Sequence, residues 1–405
     1  MRTPRILIRL ISPIRPMSPI RPMRLIALIR PTLIALMSMS LVTCSPEPPL
    51  HLYDAQEVIQ KLPVIDLDLV VYWNYDIDVN YDWRQEWYYG WDDADHVIFG
   101  EIGYTEPTVF NLRRYYTGME PYGKHTGVIA NTIEGKSFTG RYDWGFWDLL
   151  VWNDIRTLDG VQSLIFDEQT SLDSVMAYTN QTMHPSRYHA PRYTHSFYEP
   201  ELLFSAYEQA IEISRDLKGF VFDPERNAYI RSLKTQLRPI TYIYLTQIIL
   251  HNNRGRITSI DGSANLSGLA RSTNVNTGRA GEDAISVYFN MRMKRDCDKE
   301  GELVDIVGGR LMTFGLPGHS PYAISRASEV KDENRHFMDV NMQFYNGMDS
   351  TFVFDVTDQV RKRYRGGVIT VELNLDTIPI PSRSGGSGFN AVVKDFDEEM
   401  HEFEM

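Results

Sequence analysis

Four oxygen-bearing side chains fall at alternate positions in Asp76-x-Asp78-x-Asn80-x-Asp82, a spacing at which a curling chain can turn them onto one calcium ion. An EF-hand would need glycine at 81 and glutamate at 87, where this chain has Tyr81 and Trp87. Asp92, Asp93 and Asp95 stand close enough in sequence to complete such a site. If the chain stays extended, the same carboxylates form the wet face of a strand and bind nothing. Calcium is the one cofactor these residues could take, and no other metal site is indicated. Just beyond lies a crowd of rings, Trp83, Trp87, Tyr88, Tyr89 and Trp91, set among Asp82, Glu86, Asp92 and Asp93. Rings flanked by carboxylates can stack on sugar faces or anchor a protein interface, which makes Trp83, Trp87 and Trp91 candidate ligand-binding residues. The competing reading packs the same rings into the end of a core.

Other chemistry finds less footing. Gly135-Lys136-Ser137 imitates the close of a phosphate loop, but the first glycine of that loop falls on Ala130 and the strand-to-helix setting is missing. His184, His189 and His195 are spaced by five and six residues, which fits no common zinc pattern. No Gly-x-Ser-x-Gly elbow or His-Glu-x-x-His is present, and no carboxylate pair is singled out for glycoside cleavage. The expectation is a protein without enzymatic activity.

The elements that must hold these residues read as strands. Ile65, Leu67, Leu69, Val71 and Trp73 alternate with Asp66, Asp68, Val70, Tyr72 and Asn74, the period of a half-buried strand. Residues 142–155 predict a strand covered on both sides. Helix is expected around 171–180 and over 200–213, where Leu203, Tyr207 and Ala210 or Ile211 recur at helical spacing. From Leu237 onward Tyr242, Tyr244, Ile248 and Leu250 share one face, and Ile243, Leu245 and Ile249 the other. Short strands follow over 256–260, 284–293, 303–314, 336–344, 351–356 and 368–375, with a brief helix capped by Thr357. All seven tryptophans lie between Trp73 and Trp152, so the chain changes character near 230–236. The segments then divide into 1–43, a tether 44–50, a first domain 51–232 and a second 233–405.

The N-terminus carries an address. Residues 1–43 hold seven arginines (2, 5, 9, 15, 21, 24 and 30) and no lysine or acidic residue, and Thr32 to Thr43 is free of charge. A basic region, a short apolar run and a cleavage site make a secretory signal, too short to persist as a membrane span. Leu41-Val42-Thr43-Cys44 places a leucine three residues before a cysteine, as in a bacterial lipobox, although Thr43 replaces the usual small residue. Cys44 is therefore expected to become the lipid-bearing first residue. The doubled Ser-Pro-Ile-Arg-Pro-Met at 12–17 and 18–23 is a poor targeting helix, and a start at Met23 would give a signal of ordinary length. After cleavage 34 basic residues face 53 acidic ones, a formal charge of −19. Such an acidic chain excludes nucleic acid as a partner and leaves lipid on Cys44 as its route to a membrane. With Cys44 acylated, Cys297 has no intrachain partner and reads as a spare thiol in a polar loop.

The lipoprotein start, Leu67-Asp68-Leu69-Val70-Val71-Tyr72-Trp73, Tyr81-Asp82-Trp83, Tyr89-Gly90-Trp91-Asp92 and Leu112-Arg113-Arg114-Tyr115-Tyr116 resemble a domain-of-unknown-function family of Bacteroidales outer-membrane lipoproteins. Thr241 to Gln247, Val304 to Leu311 and Phe354 to Val371 extend the likeness over roughly residues 50–400. More distantly the chain resembles fimbrillin and fimbrial anchor-like (Mfa-like) proteins, through Ile260 to Ala270. That resemblance implies an all-β fold of two tandem transthyretin-like, fimbrillin-like β-sandwich domains with short helices. It also implies a lipid-anchored place in the outer membrane at the cell surface, and work in adhesion or fimbrial anchoring and assembly beside fimbrial subunits. The alternative is a lipoprotein that captures surface glycans.

Overall fold

The computed structural model describes residues 62–73, 85–155, 163–167, 175–182, 195–320 and 334–382, and the backbone of 391–394. All of them belong to one compact unit that begins at Ile59. Cys44, the tether, the calcium candidates Asp76, Asp78, Asn80 and Asp82, Trp83, His184 and His189 lie outside the described residues. The chain is all-β.

Strands β1 (Val64–Val71), β2 (Val109–Gly118), β3 (Gly127–Glu134), β4 (Ser137–Arg141), β5 (Gly145–Asn153), β6 (Leu164–Asp167), β7 (Met176–Thr179), β8 (Ser196–Tyr198), β9 (Phe204–Ile213), β10 (Val221–Asp223) and β11 (Ala228–Pro239) occupy the first half. Helix α1 (Asp93–Phe99) sits between β1 and β2. Eight of these strands form one sheet in the order β3-β2-β5-β9-β11-β1-β4, with β10 beside β11. β11 joins its two wings: Ile230 to Leu237 run parallel to β1, whereas Arg238 and Pro239 pair with β9. Ile65, Leu67 and Leu69 of β1 share one apolar cluster with Leu112 of β2 and Leu149 and Val151 of β5, so the sheet folds over its own core. The alternation read over residues 65–71 is thus the buried face of β1, and β5 is covered on both sides as its composition predicts.

The second half contributes β12 (Tyr242–His251), β13 (Ile257–Ala270), β14 (Ser272–Asn274), β15 (Ala284–Asn290), β16 (Arg292–Lys299), β17 (Glu302–Thr313), β18 (Phe337–Phe344), β19 (Asp349–Asp355), β20 (Gly367–Asn374) and β21 (Ala391–Lys394). Helix α2 (Thr357–Lys362) precedes β20. A four-stranded sheet β16-β17-β12-β20 packs on a six-stranded sheet β21-β19-β18-β13-β15-β8. Their shared core includes Ile248, Leu266, Phe289, Val307, Val340, Phe352 and Ile369. Strands β14, β7 and β6 form a small third sheet. Every residue of β12 from Tyr242 to Leu250 is buried. Tyr244, Ile248 and Leu250 enter the sandwich core, while Ile243, Leu245 and Ile249 enter the cluster inside the first sheet. The two faces assigned from sequence are the two faces observed.

Four local expectations are corrected. Residues 204–213 form β9, not a helix, because a bulge disguises the strand period. Trp147 to Leu149 on β5 oppose Ile211 to Glu208 on β9, so β9 carries one residue more. The extra residue bends the backbone at Ala210 to φ 54°, and its N–H donates to the Asp148 carboxylate at 2.7 Å. Within 171–180 the described part is the strand β7, which pairs with β6 and β14 rather than coiling. Cys297 belongs to edge strand β16, not to a loop. Its half-buried thiol packs against the first core, and burial raises its pKa, which keeps it protonated and inert. Thr357 opens α2 but does not cap it; Val356 holds the cap position.

Asp339, on the face of β18 turned away from the sandwich core, is 2% exposed, and one of its carboxyl oxygens meets no donor. Desolvation pushes its pKa up to about 8. The unfolded carboxyl ionises near pH 4, so between pH 4 and 8 the folded state holds the extra proton and loses stability as pH rises. Asp339→Asn removes this burden. Thermal melts should show a gain of at least roughly 3 °C at pH 7.5 and much less at pH 4.5. An equal shift at both pH values would show that Asp339 is not protonated in the fold.

Candidate interaction surfaces

The aromatic segment is built onto the outer face of the four-stranded sheet by one buried amide. Gln247 of β12 accepts hydrogen bonds through Oε1 from the backbone N–H groups of Tyr88 (3.0 Å) and Tyr89 (3.3 Å). Through Nε2 it donates to the Glu86 carbonyl (2.6 Å) and to Thr370 Oγ1 on β20 (2.9 Å). All its hydrogen-bonding capacity is used, which is what a fully buried amide requires. Gly308 of β17 makes room for the ring that follows: a Cβ there would stand 2.4 Å from Tyr89 Cδ2. The Tyr89 hydroxyl donates to Asp95 at 2.8 Å, and the Lys294 ammonium sits 4.1 Å from the ring centroid.

The acidic residues here are spent on structure. Asp92 caps α1 and forms a reciprocal capping box with Asp95. Arg292 of β16 then holds Asp92 at 2.8 Å and Asp95 at 2.9 Å, and Lys294 holds Asp95 at 2.5 Å and Asp92 at 3.2 Å. Burial alone would raise the Asp95 pKa, but hydrogen bonds from Lys294, the Asp92 backbone, Tyr89 and Arg292 outweigh it and hold the group below its ordinary range. Two carboxylates and two cations neutralise one another. Asp93 is exposed, and no group of three metal-binding side chains occurs among the described residues.

The sequence brought Trp87 and Trp91 forward as platforms, and the fold separates them. Trp87 is 9% exposed, donates from its indole to the Gly90 carbonyl at 3.1 Å and packs at 5.3 Å on Tyr89. It is a core residue. Trp91 is half-buried, 5.4 Å from Phe99 of α1, with its indole N–H on the Gly100 carbonyl. It keeps some open surface but not a free ring. His195 is exposed and belongs to no cluster.

An open surface lies elsewhere, on β3, which sequence reasoning met only as a failed phosphate loop. Gly135, with φ 81°, turns the chain from β3 into β4 rather than into a helix. β3 ends its sheet and pairs with β2 alone. Val128 and Ile129 are each 43% exposed, and the connection to β2 exposes Met119 (63%) and Tyr122 (72%). From Gly127 to Ile133 there is no charge and no proline. Among the described residues, the other long strands that end a sheet are blunted. β16 bristles with Arg292, Lys294, Arg295, Asp296, Asp298 and Lys299 and carries a register shift after Lys294. β20 is plugged in mid-strand, where Gln359 of α2 accepts from the Thr370 N–H (2.9 Å) and donates to its carbonyl (2.8 Å). β4, β8, β10 and β21 have five, three, three and four residues. Folded proteins protect sheet edges in these ways because an unpaired edge is a template for another strand. Among the described residues, β3 over 127–133 carries no charge, no proline and no bulge and is not a short strand.

In overall structure the chain is similar to a protein called a putative adhesin from Bacteroides ovatus, at 11% identity and a TM-score of 0.45, over 77% of this chain and 92% of that one. It is also similar to the fimbrial anchor protein Mfa2 from Porphyromonas gingivalis, at 11% identity and a TM-score of 0.38, over 77% and 90%. A third similar structure is described as putative polysaccharide-binding proteins (DUF1812) of Bacteroides thetaiotaomicron, at 9% identity and a TM-score of 0.39, over 77% and 91%. No family model matches the chain, and no curated protein matches its sequence.

Gln247→Leu strands two buried N–H groups and one carbonyl of the aromatic segment and should cost roughly 2–5 kcal/mol in urea unfolding. Trp87→Ala should cost roughly 3–5 kcal/mol. A Trp87→Ala protein of unchanged stability would mean that the ring is not packed as described.

Proposed function

We propose that this chain is a non-enzymatic, lipid-anchored protein of the outer membrane that works at the cell surface in adhesion or in the anchoring and assembly of fimbriae. The observation that carries the reading is the unprotected edge of β3. An open edge supplies a row of backbone donors and acceptors, and its alternate side chains supply selectivity, the requirements of recognition by strand addition. The Met119 and Tyr122 side chains flank that edge with further apolar surface. The lipid on Cys44 would hold the acidic body at a membrane to which its charge gives it no attraction. Glycan capture is the second reading; it keeps the half-buried Trp91 but loses Trp87, which packs in the core.

In a bacterium that processes lipoproteins, the full chain should incorporate radiolabelled palmitate and sediment with outer membranes, and Cys44→Ser should abolish both. Palmitate-free protein in the soluble fraction from the wild-type gene would sink the anchor. Immunogold on intact cells should then place label along or at the base of filaments, and Ile129→Lys, at an exposed edge position, should lower cell-to-cell aggregation at least tenfold. Label only after the outer membrane is opened would overturn the surface role.

A further inference from the structure

We infer that the partner of the β3 edge is a second copy of this chain, joined through antiparallel β3–β3 pairing about a two-fold axis at Ala130. The inference rests on the proposed edge-binding function and names its partner. Self-pairing is the isologous arrangement that an open edge permits, because each copy offers the same row of groups to the other. With Ala130 on the axis, Gly127 meets Ile133, Val128 meets Thr132 and Ile129 meets Asn131 of the other copy. The register keeps a small residue at the centre and sets a β-branched pair on either side of it, the kind of cross-strand pair that stabilises a ladder.

Charge selects the same place. The mature chain carries a formal −19, so two copies repel over most of their surfaces. Residues 127–133 form an edge with no charge, and the first acidic residue, Glu134, falls opposite the uncharged Thr126. Like charges directly opposed would destabilise the ladder; this register has none within it. Self-repulsion elsewhere is screened beyond about 8 Å at physiological salt. The other long edges are already engaged: Arg292 and Lys294 of β16 bind Asp92 and Asp95, and Gln359 holds the middle of β20. Exposed Val128, Ile129, Met119 and Tyr122 give the pair an apolar rim to bury.

The test uses the full chain in mild detergent, in a Cys297→Ser background so that Cys44 is the only natural cysteine and is acylated. Sedimentation equilibrium should show a monomer–dimer transition whose dissociation constant rises at least tenfold on Ile129→Lys, with the melting temperature unchanged. Ala130→Cys should give a disulfide-linked dimer on mild oxidation, since residues opposed across an antiparallel pair lie within bridging distance. Thr132→Cys alone should not, whereas Val128→Cys with Thr132→Cys should. A wild-type monomer at all concentrations, or a dimer indifferent to Ile129→Lys and not linked through residue 130, would overturn self-pairing. In that event, loss of cell aggregation by Ile129→Lys would preserve the edge-binding function for a different partner, and its retention would remove that function too.

Discussion

β12 is the member on which the rest of the structure depends, because it is buried on both faces at once. Its even-numbered apolar side chains help to fill the sandwich between the four- and six-stranded sheets, and its odd-numbered ones close the core of the first sheet. A buried polar side chain in that position is costly unless its groups are bonded. Gln247 is the test case. Buried without partners, its amide would cost several kcal/mol; bonded to Glu86, Tyr88, Tyr89 and Thr370, it becomes the fastening by which a long-range segment is fixed to the sheet.

That fastening explains why so acidic and aromatic a segment is quiet chemically. Asp92 and Asp95 first cap a seven-residue helix too short to stand alone, then meet Arg292 and Lys294 from the edge strand β16. The cations serve two ends. They neutralise the carboxylates, and they make β16 unattractive to a foreign strand. Tyr89 fits beneath them only because Gly308 has no side chain. The cluster is a clamp, and its polar groups are occupied by one another.

The contrast with β3 is one of allocation. Among the described residues, the other long strands that end a sheet carry charge, a bulge or a side-chain plug, and β3 leaves an uncharged edge on which Val128, Ile129 and Thr132 are exposed. In a chain with 53 acidic and 41 basic residues, an uncharged edge is where a second strand would meet the least repulsion.

Much of this was legible in the sequence. The alternation over residues 65–71 and the two-faced apolar run of β12 specify strands by period alone, since one step along a strand inverts the side chain. An all-β fold follows from such segments repeated between turn residues. What failed was local. Ala210 adds one residue to β9, and that single insertion turns a period of two into apparent helical spacing, with its N–H satisfied by Asp148 from a neighbouring strand. The rings and carboxylates of 82–95 were visible as types, but burial decided between platform and core. Trp87 lost its surface to packing on Tyr89, and Asp95 lost its availability to cations some two hundred residues away. The openness of β3 could not be read from its residues either, because an edge is defined by the strand that does not lie beside it. The sequence by itself determined strands such as β1, β5 and β12, their buried faces and the charge of the chain, which are properties of neighbours along the backbone. The tertiary structure alone decided which polar groups were already paired and which edge was left free, because both depend on segments far apart in the chain.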